Sequence, residues 1–130
     1  MSSKQIPLKY LKSKIKKFVK DRDWEQYHSP KNLSMSIAIE AAELMEHFQW
    51  LTIEQSKKLL KDKKKKEEIE DELADIAIFI LDFCNMFDID IEKSITKKLE
   101  KTAKKYPTHL AKGKAHKYTY YQGRGKWETL

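Results

Sequence analysis

Apolar residues recur at helical spacing along most of the chain. Leu8, Leu11, Ile15, Phe18 and Val19 predict a first helix from Leu8 to Val19, with Pro7 suited to its first turn. The stretch from Asp21 to Asn32, which contains Ser29-Pro30, breaks the pattern and is expected as a connection. Asn32 is the expected N-cap of a second helix running to about Trp50. Thr52 followed by Gln55 has the form of a capping box and predicts a short helix to about Leu60. The lysine run from Lys61 to Lys66 is expected as a loop, and a long helix as spanning about Glu67 to Phe87. Asp88-Ile89-Asp90 interrupts it. Asp90 then caps a last helix, which runs to about Tyr106 and stops at Pro107. No segment shows the sustained alternation of a strand. The expected fold is all-α, a helical bundle of about four to five helices. It is expected as one domain over residues 1–112, with a basic, irregular tail over 113–130 that is a candidate to lie across a neighbouring subunit.

The 130 residues suit one compact domain, and a chain this short gains from an oligomer that buries more of its surface. Three glycines and three prolines fit long elements with few breaks. No apolar run approaches the roughly 18 residues of a membrane span. Met1 to Gln5 lacks the apolar core of a secretory signal, so the expectation is a cytoplasmic protein with no membrane partner. Cys84 is the lone cysteine and is expected as a small core residue. The net charge of +7 fits a polyanionic ligand, a nucleic acid or an anionic surface. Lysines are densest over Lys57 to Lys66, expected as a solvated face and loop, and from Lys97 onward.

Candidate chemistry lies in two matched acidic pairs. Glu40 and Glu43 are three residues apart on the second helix, as are Glu72 and Asp75 on the long helix. Such spacing puts both members of a pair on one helix face. Ile37, Ala41, Leu44 and Phe48 form an apolar arc beside Glu40, Glu43, His47 and Trp50. Ile69, Leu73, Ile76 and Ile80 form a stripe beside Glu72, Asp75 and Phe79. If the apolar stripes pack together, four carboxylates meet at one seam, raise one another's pKa, and call for a hard divalent cation such as Mg²⁺. One such pair alone is usually a solvated face. Trp24 and Trp50 fit the core pattern poorly, so they could stack on a base or pack at an ordinary interface.

Several blocks carry a resemblance. They are Arg22-Asp23-Trp24-Glu25-Gln26-Tyr27-His28, Pro30-Lys31-Asn32-Leu33, Glu40-Ala41-Ala42-Glu43-Leu44, Phe48-Gln49-Trp50, Glu72-Leu73-Ala74-Asp75-Ile76, and Tyr106 through Gly113. In these the chain resembles the MazG-like all-α nucleotide pyrophosphohydrolases, and within them the dCTP pyrophosphatase branch. The resemblance implies Mg²⁺ ligation by Glu40, Glu43, Glu72 and Asp75. It implies a base pocket of Trp24 and Trp50, with His28 nearby and Phe79 opposite. Lys98 and Lys105 are candidates to steady phosphates, the alternative being solvated lysines. Related sequences often carry tyrosine at the Phe79 position and asparagine at that of Thr102. The implied activity is Mg²⁺-dependent hydrolysis of a nucleoside triphosphate, dCTP or a modified dCTP, to the monophosphate and pyrophosphate, as nucleotide pool clean-up. Glu43 or Glu72 would be the general base. The implied assembly is a homo-oligomer, a dimer or tetramer, with sites at subunit interfaces.

The main competing reading is a basic helical nucleic-acid-binding module without hydrolase activity. It gives the acidic seam no role, and no DNA-binding motif is present, so no specific nucleic acid is expected as a partner. A di-iron bundle would require Glu-x-x-His pairs on two helices. Here His47 is four residues after Glu43, and the long helix has no histidine.

Overall fold

The computed structural model describes residues 4–122, all of whose regular elements are helical. They divide at Ile89–Asp90 into two compact units. The first holds α1 (Leu8–Asp21), a 3₁₀ turn (Glu25–Tyr27), α2 (Pro30–Glu46), α3 (Ile53–Leu59) and α4 (Lys63–Met86). The second holds α5 (Ile91–Lys105), α6 (Thr108–Ala111) and α7 (Tyr118–Tyr121).

Local chemistry sets most boundaries. The capping box of α3 forms as expected: Gln55 N donates to Thr52 Oγ1 at 3.1 Å, and Thr52 N donates to Gln55 Oε1 at 2.9 Å. Asp90 caps α5 by accepting from Lys93 N at 3.0 Å. Three expectations are corrected. The cap of α2 is Ser29, whose Oγ accepts from Asn32 N at 3.1 Å. Pro30 occupies the first helical position, where a missing N–H costs nothing, and this starts the helix before Asn32. The expected lysine loop is mostly helix: Asp62 accepts from Lys65 N at 3.0 Å, and α4 begins at Lys63. Lysine propagates a helix well, and repulsion between exposed like charges amounts to only a few tenths of a kcal/mol. Within the expected irregular tail, residues 118–121 form a single helical turn, as do residues 108–111 just before it, while 123–130 lie outside the described residues.

In the first unit α2 and α1 both pack against α4. Leu33, Val19, Ile69 and Cys84 are buried, Cys84 as expected. Asn85 of α4 donates through Nδ2 to Lys12 O at 2.9 Å, tying α4 to α1. Leu73, expected in the buried stripe, is exposed, as are Met35, Ile39 and Met45 on α2 and Ile78 on α4. In the second unit Leu110 and Tyr121 are buried, and Tyr106 meets Tyr121 edge to face at 5.8 Å. No helix among the described residues is long and apolar enough to cross a membrane.

Leu33 has the largest fully buried side chain among the described residues. Leu33→Ala is expected to lower unfolding free energy by about 2–5 kcal/mol in chemical denaturation, and a loss under about 1 kcal/mol would place the main core elsewhere.

Candidate active site

The packing of α2 on α4 turns two local acidic pairs into one cluster. One carboxylate oxygen each from Glu40, Glu43 and Glu72 lie within 4.8 Å of one another. Glu43 is close enough to Glu40 and to Glu72 to raise the carboxyl of each. Burial, then Glu43, Asp75 and Glu72, push the Glu40 carboxyl up to about 7. Burial and Glu43 also raise Glu72, opposed by His47, whose Nε2 lies 3.7 Å from Glu72 Oε1. Glu40 Oε2 and Glu72 Oε2 are buried without a hydrogen-bond partner. Such oxygens are costly to leave unmatched, and a hard cation satisfies them without a proton. The donor set therefore fits a divalent metal ion.

Asp75 is not part of the close triad. It lies one turn further along α4, exposed, and acts on Glu40 through its charge. It also lines a cavity of about 640 Å³ between α1, α2 and α4. Phe18, Trp24, Tyr27, His28, Phe79 and Asp82 form much of the remaining wall.

The end of α1 places Trp24. Trp24 N donates to Val19 O at 3.1 Å and Asp23 N to Lys20 O at 3.0 Å, with Asp23 in the left-handed region at φ 53°. This double bond pattern reverses the chain and brings the residue after the turn against the helix's last apolar positions. Trp24 accordingly meets Phe18 edge to face at 5.7 Å, and Arg22 covers the Phe18 ring at 3.6 Å. Of the expected pocket residues, Trp24, His28 and Phe79 share the cavity. Trp50 does not. α2 ends at Glu46, the following residues tighten into turns, and Trp50 stands 87% exposed away from the lining. Lys98 and Lys105 lie on α5 of the second unit, where Lys105 Nζ sits 4.5 Å over the Tyr118 ring.

Two polar residues escaped the sequence reading. His47 borders the triad, and its only signal was its place on the Glu40–Glu43 arc. Asp82 is buried in the cavity wall, and its signal was a lone acid in the apolar run of α4.

A protein-family model described as the MazG-like family matches residues 35–120. The dCTP pyrophosphatase 1 of Rattus norvegicus is 32% identical over 102 residues, 78% of this chain. Those of Bos taurus and Homo sapiens are 33% and 31% identical over the same length. The match spans 60% of each of these curated relatives. Among solved structures, a pyrophosphatase from Archaeoglobus fulgidus DSM 4304 superposes with a TM-score of 0.73 at 35% identity, covering 82% of this chain and 98% of that one.

The raised Glu40 value gives a signed prediction. Its folded value of about 7 exceeds the ordinary 4.5, so the metal-free fold holds this proton more tightly than the unfolded chain does. The resulting stability is complete below the unfolded value and is lost as pH rises through the folded one. In chelator-treated protein, Tm is expected to fall as pH rises from the ordinary 4.5 to the folded value of about 7, to level off above it, and to fall less in Glu40→Gln. Equal slopes in the two proteins would remove the coupling.

Proposed function

We propose, from the premise that this chain belongs to the MazG-like family, that it is a Mg²⁺-dependent nucleoside triphosphate pyrophosphohydrolase acting on dCTP or a modified dCTP. The carrying observation is the adjacency of two chemically opposite walls. A carboxylate triad suited to a cation neighbours an apolar, aromatic cavity suited to a planar base, and Asp75 belongs to the surroundings of both. The relatives named dCTP pyrophosphatase 1 and the archaeal pyrophosphatase support this reading.

Glu40, Glu43 and Glu72, with Asp75 beside them, would hold the metal, all through hard oxygen donors that favour Mg²⁺. Bound there, Mg²⁺ neutralises phosphate charge and favours in-line displacement at phosphorus. The chain supplies the rest. Trp24 and Phe79 offer ring faces to the base. A carboxylate, Glu43 or Glu72, takes a proton from the attacking water. The water oxygen bonds to the α-phosphorus, the bond from the α-phosphorus to the bridging oxygen breaks, and pyrophosphate leaves with that oxygen. Lys98 and Lys105 are proposed to steady phosphates.

A cytoplasmic homo-oligomer, a dimer or tetramer, is part of the proposal. Trp50, Ile53, Met45, Ile39 and Leu73 leave broad apolar surface uncovered on a single chain. In that assembly Trp50 would serve the base pocket across a subunit interface, matching the site location that the family resemblance implies.

With Mg²⁺ and a panel of canonical and modified triphosphates, the protein is expected to release pyrophosphate and no orthophosphate. Chelation is expected to abolish release. Glu43→Gln is expected to lose about a hundredfold or more in turnover with its helical circular dichroism intact. Orthophosphate as the product, or full turnover by Glu43→Gln, would overturn the assignment. Trp50→Ala is expected to raise KM or flatten base preference without loss of helix content, and unchanged selectivity across the four deoxynucleotides would take Trp50 out of the pocket.

A further inference from the structure

Neither metal binding nor stacking accounts for the buried pair in the cavity wall. Asp82 is 2% exposed and is the one charged residue buried among the described residues. Its Oδ2 lies 2.6 Å from His28 Nδ1, a close polar contact in which Nδ1 is not aligned as a hydrogen-bond donor, and the two side chains are only 3% and 15% exposed. Burial raises the Asp82 carboxyl, His28 beside it opposes part of that rise, and Glu25 adds a smaller upward push. His28 follows the 3₁₀ turn, and its ring lies 6.4 Å from Trp24, tilted by 51°. It forms part of the wall beside Trp24 and does not stack under it.

Aromatic faces accept every base, because every base has a π face. Discrimination between pyrimidines has to come from a polar atom of fixed hydrogen-bonding sense. An imidazole alone has no fixed sense, since either nitrogen can carry the proton. A carboxylate on one nitrogen settles which one does. A carboxylate oxygen 2.6 Å from Nδ1 favours a proton on that nitrogen, and in a neutral ring this leaves Nε2 as the acceptor.

We propose that Asp82 is a positioning residue that fixes the His28 tautomer, so that Nε2 accepts from the exocyclic amine of a cytosine-type base and disfavours the carbonyl of uracil or thymine at the same position. The inference rests on the nucleotide hydrolysis proposed above, whose base selection it explains. An acceptor facing a carbonyl oxygen leaves both groups unsatisfied, which is the arrangement that binding sites reject most strongly.

The test uses the whole protein with Mg²⁺ on dCTP, dUTP and dTTP. Asp82→Asn and His28→Ala are each expected to shrink the dCTP-to-dUTP ratio of kcat/KM by about tenfold or more, with the larger part of the loss in KM. The double variant is expected to be no less selective than the worse single one. Nitrogen NMR is expected to show His28 protonated at Nδ1 and bare at Nε2, a preference lost in Asp82→Asn. An Nε2–H tautomer in the wild type, or an unchanged ratio in both single variants, overturns the proposal. Titrating the wild type with dCMP and dUMP keeps the question open to decision if a variant fails to fold. dCMP alone is expected to shift the Nε2 resonance, and equal shifts overturn the proposal. A selective shift without hydrolysis of any triphosphate would sink the reading of function and leave this one standing. Hydrolysis without any dependence of selectivity on His28 would do the reverse.

Discussion

Repulsion among Glu40, Glu43 and Glu72 is the constraint around which the first unit is organised. Apolar packing of α2 on α4 brings their oxygens within 4.8 Å of one another, a separation that ionised carboxylates resist. The strain shows in two ways. Glu40 is pushed to about 7, and buried oxygens of Glu40 and Glu72 have no hydrogen-bond partner. A proton relieves part of this, and a divalent cation would relieve more, so the cluster is one that could hold a metal ion.

The cavity beside the cluster works by the opposite principle. Its wall is largely apolar and carries charged residues only at Lys14, Asp75 and Asp82. Asp75 joins it to the acidic cluster, and Asp82 lies 2.6 Å from His28. Trp24 reaches it through a left-handed residue and two backbone bonds that close the end of α1, so a short-range turn delivers a long-range contact. A triphosphate nucleotide has the same division, an anionic end that needs a metal and a planar end that needs ring faces.

The single chain leaves much unfinished. Ile39, Met45, Leu73 and Trp50 are exposed on the elements that carry the cluster or adjoin it. Burial of that surface by another copy would cover apolar area that one chain of 130 residues cannot. It would also give the exposed Trp50 an environment that the monomer does not provide.

Sequence alone determined what depends on near neighbours. The helical content, the Thr52 capping box, the Asp90 cap and the two acidic pairs three residues apart were all legible, because each is settled within a turn or two of chain. The starts of α2 and α4 were misplaced because adjacent residues competed for the same role. Ser29 with Pro30 outdid Asn32, and Asp62 started a helix through lysines that looked like a loop. Tertiary structure alone decided the rest. It chose which carboxylates meet and set Asp75 beside the triad. It left Trp50 and Leu73 in the open, and it joined Asp82 to a histidine far away in sequence. Periodicity gives the direction of a side chain from its own helix axis. What that side chain meets depends on how the axes pack, and that is fixed by the burial of residues such as Leu33 and Ile69 on different helices.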